Sequence, residues 1–138
     1  MLRHLFLYGT LQADTDTPMA RWLAPKLRRA HRASLAGRLI AVASRGGYYP
    51  ALMTVGDHRR VQGTLVQAAL SPRDWRILDR YEGAEYRRER VWVRVSGGVV
   101  RADVYRWAGE RPPGAVPIWH GDFPRWLAER GASPYRGS

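Results

Sequence analysis

At 138 residues the chain suits a single domain (1–138) with one core, and the absence of cysteine excludes disulfide frameworks, thiol nucleophiles and cysteine-based metal sites. Its 23 Lys and Arg against 12 Asp and Glu give a net charge of +11, and with six Trp and seven Tyr that draws polyanions; the basic residues are scattered, however, with no long run and no binding motif, which argues against a nucleic-acid role. No stretch is long and apolar enough for a leader or a membrane span, so a cytoplasmic protein without a membrane partner is expected, its charge drawing small acidic molecules.

The first element is the apolar run Leu5-Phe6-Leu7, the pattern of a strand buried on both faces. It meets Tyr8-Gly9-Thr10-Leu11, where glycine permits a sharp turn or a close approach. The amides of Gly9, Thr10 and Leu11 there are free to cradle an anion such as a carboxylate; an ordinary turn after a strand is the plainer alternative. Thr17-Pro18 reads as a helix cap followed by proline, opening a short helix with Met19, Trp22 and Leu23 on one stripe and Pro25 at its end. One long strand is expected over Arg28 to Val42, bent at Gly37. Arg45 to Pro50 reads as a loop, Ala51 to Val55 as a strand, Asp57 to Arg60 as a turn and Val61 to Ala68 as a further strand.

Ser71-Pro72 repeats the capping signal and opens a helix that Gly83 stops. Val91, Val93 and Val95 alternate with Arg90, Trp92 and Arg94 in a strand from Tyr86 to Val95, and Ser96-Gly97-Gly98 turns it into a second strand reaching Trp107, a β-hairpin. Asp122 caps a last helix carrying Phe123, Trp126 and Leu127 up to Gly131, and Ala132 to Ser138 is expected to fray. These elements do not alternate as βαβ units do, and the hairpins favour a mixed, largely antiparallel sheet closing into a small barrel of α+β class with two or three short helices.

On the second helix Trp75 and Leu78 lie at i and i+3, and Glu82 falls at i+7, in line with the apolar stripe at the last turn. Partial desolvation and the negative end of the helix dipole would both raise the pKa of that carboxyl, as a proton shuttle at neutral pH requires. The plainer reading turns Glu82 outward or pairs it with Arg80, Arg87 or Arg88; Asp79 reads as structural, and Glu85 and Glu89 as poorer candidates. The four histidines, His4, His31, His58 and His120, show no metal-ligand spacing, and no nucleotide-binding or nucleophile-elbow motif is present.

Tyr8-Gly9-Thr10-Leu11 at a strand end, followed far downstream by Leu78-Asp79-Arg80-Tyr81-Glu82-Gly83 and Tyr86-Arg87-Arg88, resembles the γ-glutamylcyclotransferase-like (AIG2-like) family. Gly47-Tyr48-Tyr49-Pro50, Val61-Gln62-Gly63-Thr64-Leu65 and Ala102-Asp103-Val104-Tyr105 resemble further landmarks in the family's order, so the likeness runs from about Leu5 to Tyr105. The resemblance implies a compact barrel with a cavity at one mouth and a cofactor-free cyclisation of a γ-glutamyl amide to 5-oxoproline, with Glu82 as the essential acid and base. It implies that Tyr8, Gly9, Thr10 and Leu11 bind substrate and that Tyr105 reaches the cavity, with a half-buried strand tyrosine as the equal alternative; Tyr48, Tyr49 and Pro50 read as cavity wall or, more plainly, as an aromatic strand entrance packing the core. Thr10 replaces the motif's usual serine, and Gln12 stands where relatives often carry Arg or Asn. A non-catalytic small-ligand-binding or regulatory protein of the same fold is the first alternative and a basic nucleic-acid-binding module the more distant one; the leaving amine and the oligomeric state are left open.

Overall fold

The computed structural model describes residues 2–9, 11, 17–53 and 59–135. β1 (Leu2–Leu7) is paired on both sides, antiparallel to β5 (Arg60–Ala69) and parallel to β7 (Gly98–Trp107), with Leu5 opposite both Val66 and Asp103. That placement is what its unbroken apolar run predicts: Leu5, Phe6 and Leu7 are all buried. β2 (Leu27–Ala36) and β6 (Tyr86–Val95) complete a closed barrel in the order β1–β5–β2–β6–β7. A three-stranded sheet places β3 (Arg38–Ser44) between β4 (Gly47–Met53) and β8 (Val116–Ile118). With helices α1 (Pro18–Leu23), α2 (Pro72–Glu82) and α3 (Phe123–Arg130), this is the mixed, largely antiparallel α+β barrel that the sequence suggested.

Alternation along the strands divides the apolar residues into two main layers. Phe6, Ala33, Leu35, Val61, Leu65, Val93 and Val104 fill the barrel, and Leu39, Leu52, Phe123, Trp126 and Leu127 continue that core under the second sheet and α3. Leu5, Leu7, Val66 and Ala68 point outward and are covered by Leu23 of α1 and by Trp75 and Leu78 of α2. Fully burying a leucine or phenylalanine is worth about 1.5–3 kcal/mol, so each helix is held by its stripe rather than by its short length.

Local chemistry sets the helix ends. The Thr17 hydroxyl accepts from the Ala20 amide at 3.2 Å, and Asp122 accepts from the Arg125 amide at 3.2 Å. Ser71 and Asp74 form a reciprocal capping box, with hydrogen bonds of 3.0 and 3.1 Å. Gly131 closes α3 in a left-handed conformation, φ 61°.

Three expectations need correction, and one strand had no expectation attached to it. The expected strand over Arg28 to Val42 is two strands: at Gly37 the chain leaves the barrel for the second sheet, and the bulge lies earlier, between Arg28 and His31, where Arg29 has φ 53°. Gly47 to Pro50 is strand rather than loop, because the turn needs only Arg45 and Gly46. Strand β8, whose three residues carry little pattern, was not foreseen. Ala132 to Tyr135 does not fray: the Tyr48 amide donates to Ser133 and the Tyr135 amide donates back to Tyr48, pairing this segment with β4. The expected strand end at Val55 and the first half of the turn from Asp57 to Arg60 lie outside the described residues, and Arg60 already belongs to β5.

Candidate active site

α2 carries Trp75 and Leu78 down onto the outer face of β1 and β5, and this docking fixes where its last turn points. Glu82 ends the helix because Gly83 takes φ 90°, a conformation costly for other residues, while donating to the Asp79 carbonyl at 3.1 Å. Around that last turn a cavity of about 420 Å³ opens between the end of β1, the start of β4 and the adjoining ends of β6 and β7. Its wall includes Tyr8, Gly9 and Leu11 from the first turn, Tyr49 and Pro50 from β4, Glu82, and Tyr86 and Tyr105 from the hairpin.

Glu82 keeps partial exposure at this wall, yet the protein around it is dense enough to strip away bulk water. Desolvation first, and the negative charge of Asp79 one helical turn back second, push its pKa up to about 8. Among the described residues its carboxyl makes no ion pair: Arg88, a candidate partner, is instead committed to Asp79 by two hydrogen bonds of 3.0 and 3.3 Å. Arg88 also lies 4.4 Å over the Trp75 ring, with Arg3 5.6 Å from the same ring. Asp79 receives a third hydrogen bond from the Tyr105 hydroxyl. It thus ties the last turn of α2 to β6 and β7, the structural role expected of it.

The phenols around the carboxyl are fixed. Tyr8 donates to the Tyr105 carbonyl, and Tyr86 donates to the Pro50 carbonyl. Burial raises the pKa of both well above the ordinary tyrosine value; the Glu82 charge raises that of Tyr8 further, and Tyr8 and then Glu82 do the same for Tyr86. Tyr105 lines the cavity, but its hydroxyl is spent on Asp79. Gly9 is needed for a close approach: a Cβ there would overlap the ring of Pro50, so only glycine lets the first turn meet β4.

Of the residues singled out from sequence, Tyr8, Gly9, Leu11, Tyr49, Glu82 and Tyr105 meet around this one cavity; Thr10 and Gln12 lie outside the described residues. Tyr48 does not join them, because strand alternation turns it to the other face, against Trp126 at 5.0 Å. Sequence reading missed Tyr86 and Tyr135, and passed over Glu85 and Arg80, all of which reach the wall. Tyr135 packs 6.0 Å from Tyr49. Nothing local marks it, since its position depends on the pairing with β4. Among the described residues no group of three His, Cys, Asp or Glu is placed to hold a metal ion. No helix among them is long and apolar enough to cross a membrane.

The same arrangement of elements occurs in known proteins. The fold matches an AIG2-like protein from Mus musculus with a TM-score of 0.68 at 22% identity, covering 88% of each chain. It also matches YkqA from Bacillus subtilis with a TM-score of 0.70 at 21% identity, over 95% of this chain and 43% of that one, so the present chain spans under half of that protein. In sequence it is 27% identical over 133 residues to AIG2-like protein D of Arabidopsis thaliana, covering 91% of this chain and 79% of the relative. The family model described as gamma-glutamyl cyclotransferase, AIG2-like, matches residues 5–126, from the first buried strand through the last helix's tryptophan. A match over nearly the whole domain settles kinship, and the chain belongs to the γ-glutamyl cyclotransferase, AIG2-like family.

Proposed function

We propose that the protein cyclises a γ-glutamyl amide, releasing the amine and 5-oxoproline, with Glu82 carrying the protons. The observation that supports this most directly is the placement of the Glu82 carboxyl, without an ion-pair partner among the described residues, on the same cavity wall as Tyr8, Gly9 and Leu11, where desolvation pushes its pKa up to about 8. An α-amino group has a pKa on the order of 8, so proton transfer from the substrate ammonium to this carboxyl is close to balanced.

In this reading the substrate's α-nitrogen attacks its own γ-carbonyl carbon: one carbon–nitrogen bond forms and the bond to the leaving nitrogen breaks. The ammonium gives up two protons in becoming a lactam N–H, and the leaving nitrogen gains two in departing as an ammonium ion. A single carboxyl that accepts and returns protons closes that balance, and contributes roughly 10²–10⁴-fold. Main-chain amides of the first turn receive the substrate carboxylate or the developing oxyanion. The tyrosine-lined wall folds the γ-glutamyl chain into attack geometry, which supplies up to about 7–11 kcal/mol.

The test is release of 5-oxoproline from a panel of γ-glutamyl amines and γ-glutamyl amino acids. Turnover that falls at least about 10²-fold in a folded Glu82→Gln variant supports the assignment. Full activity in that variant removes Glu82 from the chemistry, and binding without turnover by the native protein makes it a ligand-binding relative instead.

A further inference from the structure

Helices α1 and α2 cover the barrel over β1 and β5, leaving the outer face of β6 and β7 bare at its far end: Trp92 is 61% and Val99 59% exposed. One cross-strand row on this face reads Gln62, Ser34, Arg94 and Val99, from β5 through β2 and β6 to β7. The next row places Arg60 opposite Ala36 and Trp92 opposite Arg101, whose guanidinium lies 5.3 Å from the Trp92 ring. A second exposed tryptophan, Trp119, borders the same patch: Arg59 lies 4.4 Å over its ring, and the turn carrying it is pinned to the start of β5 by a 2.7 Å bond from the Gln62 amide to Gly121.

Between the two tryptophans, Arg60, Arg94 and Arg101 line up across the strands. Arg60 is held by the Ser34 carbonyl and hydroxyl at 3.0 Å, and burial, then the charge of Arg94, push its pKa down. Among the described residues, Arg60, Arg94 and Arg101 have no acidic partner; Asp79, Glu89 and Asp103 are paired elsewhere, and Glu129, beside Trp119, is taken up by His120 and Arg125. Arginines that are scattered along the sequence are gathered by strand register into one strip.

We propose that this strip binds single-stranded nucleic acid, with bases stacking at Trp92 and Trp119 and guanidiniums taking the phosphates. Planar rings backed by guanidiniums beside a positive track are what unpaired bases stack on, whereas a duplex hides its base faces from such rings. The patch crosses adjacent strands about 5 Å apart, so two or three spacings are bridged by a few nucleotides. It lies on the outer surface, and none of its residues lines the cavity.

Fluorescence anisotropy of a labelled oligouridylate of about 12 nucleotides, titrated with the full chain between about 50 and 200 mM salt, tests this. Binding should weaken with salt and quench tryptophan emission. Trp92→Ala and Trp119→Ala should each weaken it roughly 5- to 100-fold, and Arg94→Gln should flatten the salt slope by about 0.7, with circular dichroism unchanged in all three. Equal binding of a duplex that neither tryptophan variant affects would reduce the strip to a general charge field. Capture by phosphatidylserine vesicles with no oligonucleotide binding would make it a membrane surface. Either result, or no binding at the lowest salt, overturns the proposal.

Discussion

A carboxyl tuned to about 8 gives the candidate site a pH signature. As a base Glu82 must be ionised, so kcat/KM should climb with pH and level off above a midpoint near 8, as a pH–rate profile on any turned-over γ-glutamyl amide would show. Asp79→Asn removes the second cause of the raised value, so the midpoint should move down; Tyr105→Phe deletes only a hydrogen bond to Asp79 and should leave the midpoint higher than Asp79→Asn does. Stability carries the opposite sign. The folded pKa lies above the unfolded carboxylate value, so this group's contribution is full below about 4.3 and is lost as pH rises towards 8. That loss is at most about 4–5 kcal/mol, and partial exposure of Glu82 makes it smaller. Glu82→Gln should therefore raise the thermal midpoint at pH 8 relative to the native chain and do much less at pH 4.5, read by scanning calorimetry.

Elements fix the site through their ends. Ser71→Ala breaks the capping box at the far end of α2 and should cost about 1 kcal/mol in urea unfolding while leaving the pH midpoint in place. Gly9→Ala drives a methyl group into Pro50 and should cost about 1–3 kcal/mol, and kcat/KM should fall as the first turn separates from β4. These same ends explain what the sequence discloses. Each of the three helices starts with a capping residue followed within two positions by proline, a signal contained in consecutive residues. The passage from β2 to β3 is not local: the change of sheet at Gly37 is seen in the partners, β5 for Ala36 and β4 for Arg38, and Leu52 of β4 packs against that glycine. The helical stripe showed where Glu82 falls on α2, but a stripe fits an outward or paired carboxyl as well, and the family resemblance was what singled it out; Tyr86 and Tyr135 were not legible, because their positions depend on partners in β4.

At the scale of the molecule, the cavity draws on the first turn, β4, the end of α2, the β6–β7 hairpin and the segment at Tyr135, so no contiguous stretch of chain contains it. The family motifs are the parts of that wall close enough in sequence to be recognised, and barrel closure by the parallel β1–β7 pair brings them together. The arginine strip is the converse case, invisible in order and compact in space.

The pairing of Ser133 to Tyr135 with Tyr48 has a consequence for solution behaviour. β4 is the outermost strand of its sheet, and this short segment occupies hydrogen-bonding groups that would otherwise be open to another chain. A variant truncated after Gly131 should uncover that border and self-associate strand to strand, giving a concentration-dependent shift in gel filtration that the intact chain does not show.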